Sequence, residues 1–344
     1  MKEMYGFDIN PLAVLISKVK FTKTSTGDLL KTRKIFRNDL YDFLKNENDI
    51  KTLLRPKVTN IDFWFSQEVI KNITVIKYFI DKIDNENIRN FFLIPFSETV
   101  RECSYTRNNE FKLFKMKEQD LLNFNPDVIG VYFKKFDDVF FLYSNFYFPK
   151  LQNNIKINIQ HSTFQPQDGY FDVVLTSPPY GDSRTTMAYG QFSTFSNEWL
   201  GINYARKIDG MLMGGTKLKW NISSGIIADY ISQISKIDCN RALDVSAFYN
   251  DLGKSITQVA KSIKQGGKSV YIVGNRTVKN VQLPTDQFVA EKFEENGFKH
   301  LITYKRALSN KSMPSRNSPT NKTGKTANTM LLEYIVVCEK KIKL

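Results

Sequence analysis

Residues 171–184, FDVVLTSPPYGDSR, place Ser177, Pro178, Pro179 and Tyr180 directly after a short apolar run that favours strand. Two consecutive prolines lack backbone donors and hold φ fixed, so a strand cannot continue through them. The plain reading is a strand-ending loop with a rigid kink. The chemical reading is a site in which rigidity holds oxygen acceptors and an aromatic face in a set geometry. Such a site suits a planar group laid against the ring, its hydrogens received by acceptors that need not reorganise. The three cysteines, Cys103, Cys239 and Cys338, are scattered and form neither a disulfide framework nor a metal-binding pattern.

The elements that must position these residues can be read from the pattern. MYGFD at 4–8 reads as a strand, and PLAVLISKVK as the helix after it, with Pro11 in its first turn. From 21 to 154 the texture is helical. Val69, Ile73, Ile76, Ile80 and Ile83 recur at helical spacing and predict a buried stripe. Residues 87–103 read as a second helix, whereas the aromatic-rich stretch 128–148 leaves helix and strand open. From 155 onward strands and helices alternate. NIKINIQ and FDVVL read as strands, and FYNDLGKSITQVAKSIKQGG as a helix stopped by Gly266 and Gly267. KSVYIVGN is a buried strand, and TDQFVAEKFEENGF a helix ending at Gly297. KHLITYKRAL and MLLEYIVVCEK are two further strands flanking a polar loop. This alternation predicts an α/β sheet. In an open α/β sheet ligands sit beyond the carboxyl ends of the strands, and TSPPY occupies such a place.

At these residues the chain resembles the DNA amino-methyltransferases, whose motif is Ser, Asp or Asn followed by Pro-Pro and an aromatic. TSPPY in particular is similar to the cytosine-N4 branch of restriction-modification enzymes. GFDINPLAV is similar to the family's acidic motif after the second strand. TSPPYGDSRTTMAYGQFS and NKSMPSRNSPTNKTGKTANTMLLEYIVV resemble one bacterial subgroup. The resemblance implies a Rossmann-like, S-adenosyl-L-methionine-dependent methyltransferase sheet formed by 1–20 and 155–344. The mainly helical insertion, 21–154, is a candidate DNA-recognition region. It implies Ser177, Pro178, Pro179 and Tyr180 as the catalytic motif. Asp8 then faces the cofactor's ribose, with Asn10 and Pro11 flanking the adenine. His161 and Ser162 stand where the third-strand acid is expected. A base amino nitrogen is a poor nucleophile, because its lone pair is delocalised into the ring. Ser177 Oγ and the Pro178 carbonyl can accept its hydrogens and favour a pyramidal nitrogen, while Tyr180 stacks the flipped base. Cytosine-C5 chemistry needs a thiol after a proline, and here the cysteines follow Glu102, Asp238 and Val337.

Net charge is +14, which points to a polyanionic partner, here double-stranded DNA. Arg184 and the acid-free cations Lys311, Arg316, Lys322 and Lys325 are candidate phosphate contacts. Trp199, Trp220, Lys217 and Lys219 lie in a second candidate base-reading segment, 181–240. Their plainer reading is core packing for the tryptophans and a solvated face for the lysines. The family's first strand and glycine-rich cofactor loop should precede YGFDINP and are not found. MGGTK at 213–217 and KQGGK at 264–268 are misplaced for that role. The expectation is a truncated start or a second polypeptide that supplies the piece, with a cognate restriction endonuclease in the same system. No metal, no membrane span and a cytoplasmic location are expected. The alternatives are an adenine-N6 enzyme on the same scaffold and a non-catalytic DNA-binding subunit of a split methyltransferase.

Overall fold

The computed structural model describes residues 2–46, 51–107, 112–151, 155–161, 167–181, 189–308, 316–317, 327–328 and 332–342. The chain packs as two compact units, Met1–Thr163 with Tyr189–Ile208, and Phe164–Ala188 with Asp209–Leu344. Together they make a mixed α/β fold in which parallel strand pairs are joined through helices.

The first unit opens with β1 (Lys2–Asp8), which leads into helix α1 (Pro11–Phe21). Asn10 is the N-cap, its side chain accepting from the Leu12 N–H, and Pro11 occupies the first turn, where no donor is missed. Four long helices follow: α2 (Thr26–Leu44), α3 (Gln67–Asp81), α4 (Glu86–Glu102) and α5 (Val128–Leu142). The predicted stripe is buried, with Val69, Ile73, Ile76 and Ile80 on α3. Ile83, just past the helix end, packs on the same core from a partly buried position. The core is aromatic. Phe92 meets Phe36 and Phe136 edge-on, with ring centroids 5.3 and 4.8 Å away, in the geometry that ring quadrupoles favour. Helix settles the open stretch 128–148. Val128, Ile129, Tyr132, Phe133 and Phe136 point inward, and a wider turn follows over Tyr143–Tyr147. The Tyr143 hydroxyl closes that turn onto the loop after α1: it accepts from the Thr24 N–H and donates to the Thr22 carbonyl, both at 2.7 Å. Strand β2 (Ile155–His161) then returns beside β1, parallel and in continuous register from Lys2↔Ile155 to Asp8↔His161. Helix α6 (Tyr189–Trp199) joins this unit and buries Phe195 and Trp199 in the helical core. Trp199 therefore has the packing role.

The second unit is built on four strands. They are β3 (Phe171–Thr176), β4 (Ile263–Val273), β5 (Phe298–Ala307) and β6 (Leu332–Lys340), in spatial order β3-β4-β6-β5. β3 runs parallel to β4, and β6 is antiparallel to both β4 and β5. Helices α7 (Ala228–Ile237), α8 (Cys239–Ser262) and α9 (Thr285–Glu295) supply the apolar residues packed against one face. Ile256, Phe288 and Phe293 meet Tyr271, Val336 and Phe298 there. On the opposite face Val173 and Leu175 of β3 remain 56% and 67% exposed.

One expected boundary is corrected. Helix α8 ends at Ser262, and Gly266 and Gly267 lie inside β4. The pairing of β3 with β4 shifts register between Phe171↔Ile263 and Val173↔Lys268, which makes a bulge. Gly266 takes φ +73°, and a Cβ on Gly267 would sit 2.9 Å from the Asp172 carbonyl oxygen. The glycines serve the left-handed turn and close strand approach of the bulge, rather than a helix cap. Among the described residues no helix is long and apolar enough to cross a membrane.

Candidate active site

β3 ends at Thr176, and Ser177, Pro178, Pro179 and Tyr180 follow at its carboxyl end. Ser177 is exposed, Pro178 is buried, and Pro179 and Tyr180 are half-buried. The buried proline wedges the turn while the serine faces outward. The ring of Tyr180 is tied at its tip: its hydroxyl donates to Glu333 Oε1 of β6 at 2.7 Å. Ser177 Oγ donates toward the same phenolic oxygen at 3.4 Å, long for an O–H···O bond. Glu333 is itself held from β5, where Arg306 Nε lies 2.9 Å from Oε2 and the terminal guanidinium nitrogen bonds the same oxygen. Burial pushes the Glu333 carboxyl up, but hydrogen bonds from Arg306 and Tyr180 outweigh it and hold the group below the ordinary carboxylate value. Burial raises the Tyr180 phenol, so it stays protonated at neutral pH.

Sequence reasoning missed Glu333 and Arg306. The available signal was one acid inside an otherwise apolar strand, LLEYIVV; charges are seldom buried unless paired. The pairing follows from register, because Glu333 and Arg306 are direct cross-strand partners on β6 and β5.

A second group of candidate residues lies in the first unit. Parallel register sets Asp8 opposite His161 at the carboxyl ends of β1 and β2. Asp8 is exposed, and its Oδ1 accepts from the Asn10 N–H at 2.8 Å. A carboxylate keeps acceptor capacity beyond that bond. Asn10 is more committed than its sequence context suggests. Besides capping α1, its amide donates to Ser193 Oγ and its oxygen accepts from Asn197, each at 3.0 Å. Ser193 and Asn197, four residues apart on one face of α6, anchor the start of α1. They were also missed, and their helical spacing was the available signal.

Ser162, Arg184, Lys311, Lys322 and Lys325 lie outside the described residues. Arg316 belongs to a two-residue strand whose backbone pairs with Asn328. Trp220 is 54% exposed, and Lys217 lies 3.8 Å from Asp244. Burial raises the Cys103 thiol to about 12 and the Cys338 thiol to about 11, and neither is poised as a nucleophile.

No protein-family model matches the chain. Two crystal structures of a DNA modification methylase from Thermus thermophilus overlap it slightly. One is a selenomethionine derivative and the other is complexed with S-adenosyl-L-methionine. Each is 22% identical and covers 29% of this chain, with 39% and 40% of the other chain covered and TM-scores of 0.22 and 0.21. Overlaps of that size carry no inference. The sequence likeness is much stronger to the type II methyltransferase M.MvaI of Kocuria varians, 37% identical over 365 residues, which takes in 97% of this chain and 79% of the relative. With that likeness extending over nearly the whole sequence, the chain belongs to the family of type II DNA methyltransferases.

Proposed function

We propose that the protein transfers the methyl group of S-adenosyl-L-methionine to the exocyclic N4 of a cytosine flipped out of double-stranded DNA, within a restriction-modification system. The family makes it a site-specific, S-adenosyl-L-methionine-dependent DNA methyltransferase. The observation that carries the finer reading is the exposed Ser177 hydroxyl beside a braced Tyr180 at the carboxyl end of β3. Ser177 Oγ and the Pro178 carbonyl receive the two amino hydrogens, which localises the nitrogen lone pair. Tyr180 offers its ring to the flipped base.

Asp8, Asn10, Pro11, His161 and Ser162 would hold the cofactor. The exposed Asp8 carboxylate fits ribose hydroxyls in its chemistry, and a strand end is the usual place for such a ligand. When bound, the cofactor supplies an electrophilic methyl on a sulfonium. In-line placement of the acceptor nitrogen supplies much of the rate.

The mainly helical region 21–154 reads DNA in this proposal. Arg184, Lys311, Arg316, Lys322 and Lys325 contact phosphates. A strand and glycine-rich turn, supplied in cis or by a second polypeptide, complete the cofactor site. A cognate endonuclease and a cytoplasmic location, where host DNA lies, belong to the same proposal.

The test is chemical. The purified protein, alone and with a candidate upstream polypeptide, is incubated with mixed-sequence duplex DNA and cofactor. The DNA is then hydrolysed to nucleosides and analysed by mass spectrometry. N4-methylcytosine is the expected product, N6-methyladenine would transfer the reading to adenine, and 5-methylcytosine would remove the site assignment.

A further inference from the structure

We propose that Glu333 is a positioning residue for methyl transfer: acting through Tyr180, it fixes the direction of a hydrogen-bond chain so that Ser177 meets the substrate as an acceptor. This rests on the reading that Ser177 Oγ receives a hydrogen of the base amino group.

Four residues, on two strands and one turn, make up the chain. Arg306 has only donors to offer and binds Glu333 Oε2. The Glu333 carboxyl, 8% exposed and held ionised by its two partners, can only accept. Its other oxygen lies 2.7 Å from the Tyr180 hydroxyl, so the single phenolic proton is committed to Glu333. The phenolic oxygen is then able only to accept from Ser177, which stands 3.4 Å away. Once Ser177 turns its one proton toward Tyr180, what remains on Oγ is acceptor capacity. A serine hydroxyl alone is indifferent to direction, since it rotates to suit its partner. The carboxylate, two residues removed from the substrate, makes the choice. The 3.4 Å step is long, as such bonds often are before substrate arrives.

Glu333→Gln should reverse the chain. The amide nearly preserves shape, but its oxygen must face the donors of Arg306, which turns its NH2 toward Tyr180. The phenol then receives a hydrogen bond, points its own proton at Ser177, and leaves Ser177 presenting a proton to the substrate. The chain is reversed.

The experiment measures kcat, the KM for DNA and the thermal midpoint for Glu333→Gln, Tyr180→Phe and Ser177→Ala, and for Glu333→Gln combined with each of the other two. All are made in the full chain, with any required partner polypeptide present. Glu333→Gln is expected to lower kcat by about 10²-fold with little change in KM, comparable to loss of one preorganised catalytic hydrogen bond. Combined with Ser177→Ala or Tyr180→Phe, it is expected to lower kcat no further, while still lowering the thermal midpoint. A purely structural ion pair would instead multiply its kcat loss with theirs. Multiplying losses overturn the proposal, as does a Glu333→Gln kcat within about twofold of wild type. If Glu333→Gln does not fold, Tyr180→Phe decides alone: its ring remains, and an unchanged kcat overturns the relay. Full turnover in Ser177→Ala overturns the site reading first, and this inference with it.

Discussion

Replacing Ser177 by alanine should separate chemistry from everything else the protein does. Ser177 is exposed, and its hydroxyl makes one long contact, to Tyr180 at 3.4 Å. Truncation therefore opens no cavity and strands no buried partner, since Tyr180 keeps its 2.7 Å bond to Glu333. Folding stability should shift by no more than about 0.5 kcal/mol, the usual range for such surface changes. DNA affinity should hardly move, because phosphate contacts dominate it and Ser177 makes none in this reading. The methyl-transfer step should suffer. Removing one preorganised hydrogen-bonding group from a reacting centre costs about 2.7–4 kcal/mol, or roughly 10²–10³ in rate. The assay is single-turnover transfer of labelled methyl to duplex DNA at saturating enzyme, beside fluorescence anisotropy for binding and thermal unfolding for stability. A single-turnover rate within about threefold of wild type, with binding and stability intact, would refute Ser177 as an acceptor for the amino group.

Asp8→Ala should weaken S-adenosyl-L-methionine binding by about 1.5–3 kcal/mol, the worth of a hydrogen bond to a charged group, in titration calorimetry on an otherwise folded protein. Unchanged affinity would move the cofactor away from the end of β1. Neutralising Lys311, Arg316, Lys322 and Lys325 together should weaken specific and random DNA alike. It should also flatten the salt dependence by roughly 0.9 in slope per lost phosphate contact, and an unchanged slope would leave them a solvated loop. Glu333 titrates below its ordinary value of 4.5 when folded. Its stabilising contribution is therefore complete above that value and lost as pH falls through the lower folded one. Denaturant unfolding should find wild type more stable than Glu333→Gln at pH 7, with the gap closing on acidification below 4.5; a gap that widens there would contradict the pairing.

Much of this protein is written locally. The period of Val69, Ile73, Ile76 and Ile80 sets a helix and its buried face, because only a 3.6-residue turn brings those positions onto one side. The proline pair ends β3 at Thr176 because it can neither donate nor change φ. The motif TSPPY carries its own rigidity, so the candidate chemistry could be named before any fold was known. Other readings failed where local signals had two uses. Gly266 and Gly267 resemble a helix stop, yet they serve a strand bulge whose crowding comes in part from the Asp172 carbonyl, nearly a hundred residues earlier. The aromatics of 128–148 fit helix or strand until the surrounding helices bury one side of them. The partners of the site were beyond local reach altogether. Tyr180 and Glu333 are 153 residues apart, and Ser193 lies 183 residues from Asn10. Strand order and register bring Glu333 to Tyr180, and the packing of helix α6 brings Ser193 to Asn10. That decision belongs to tertiary structure, because a strand pattern specifies which residues share a face but not which strand will lie beside it.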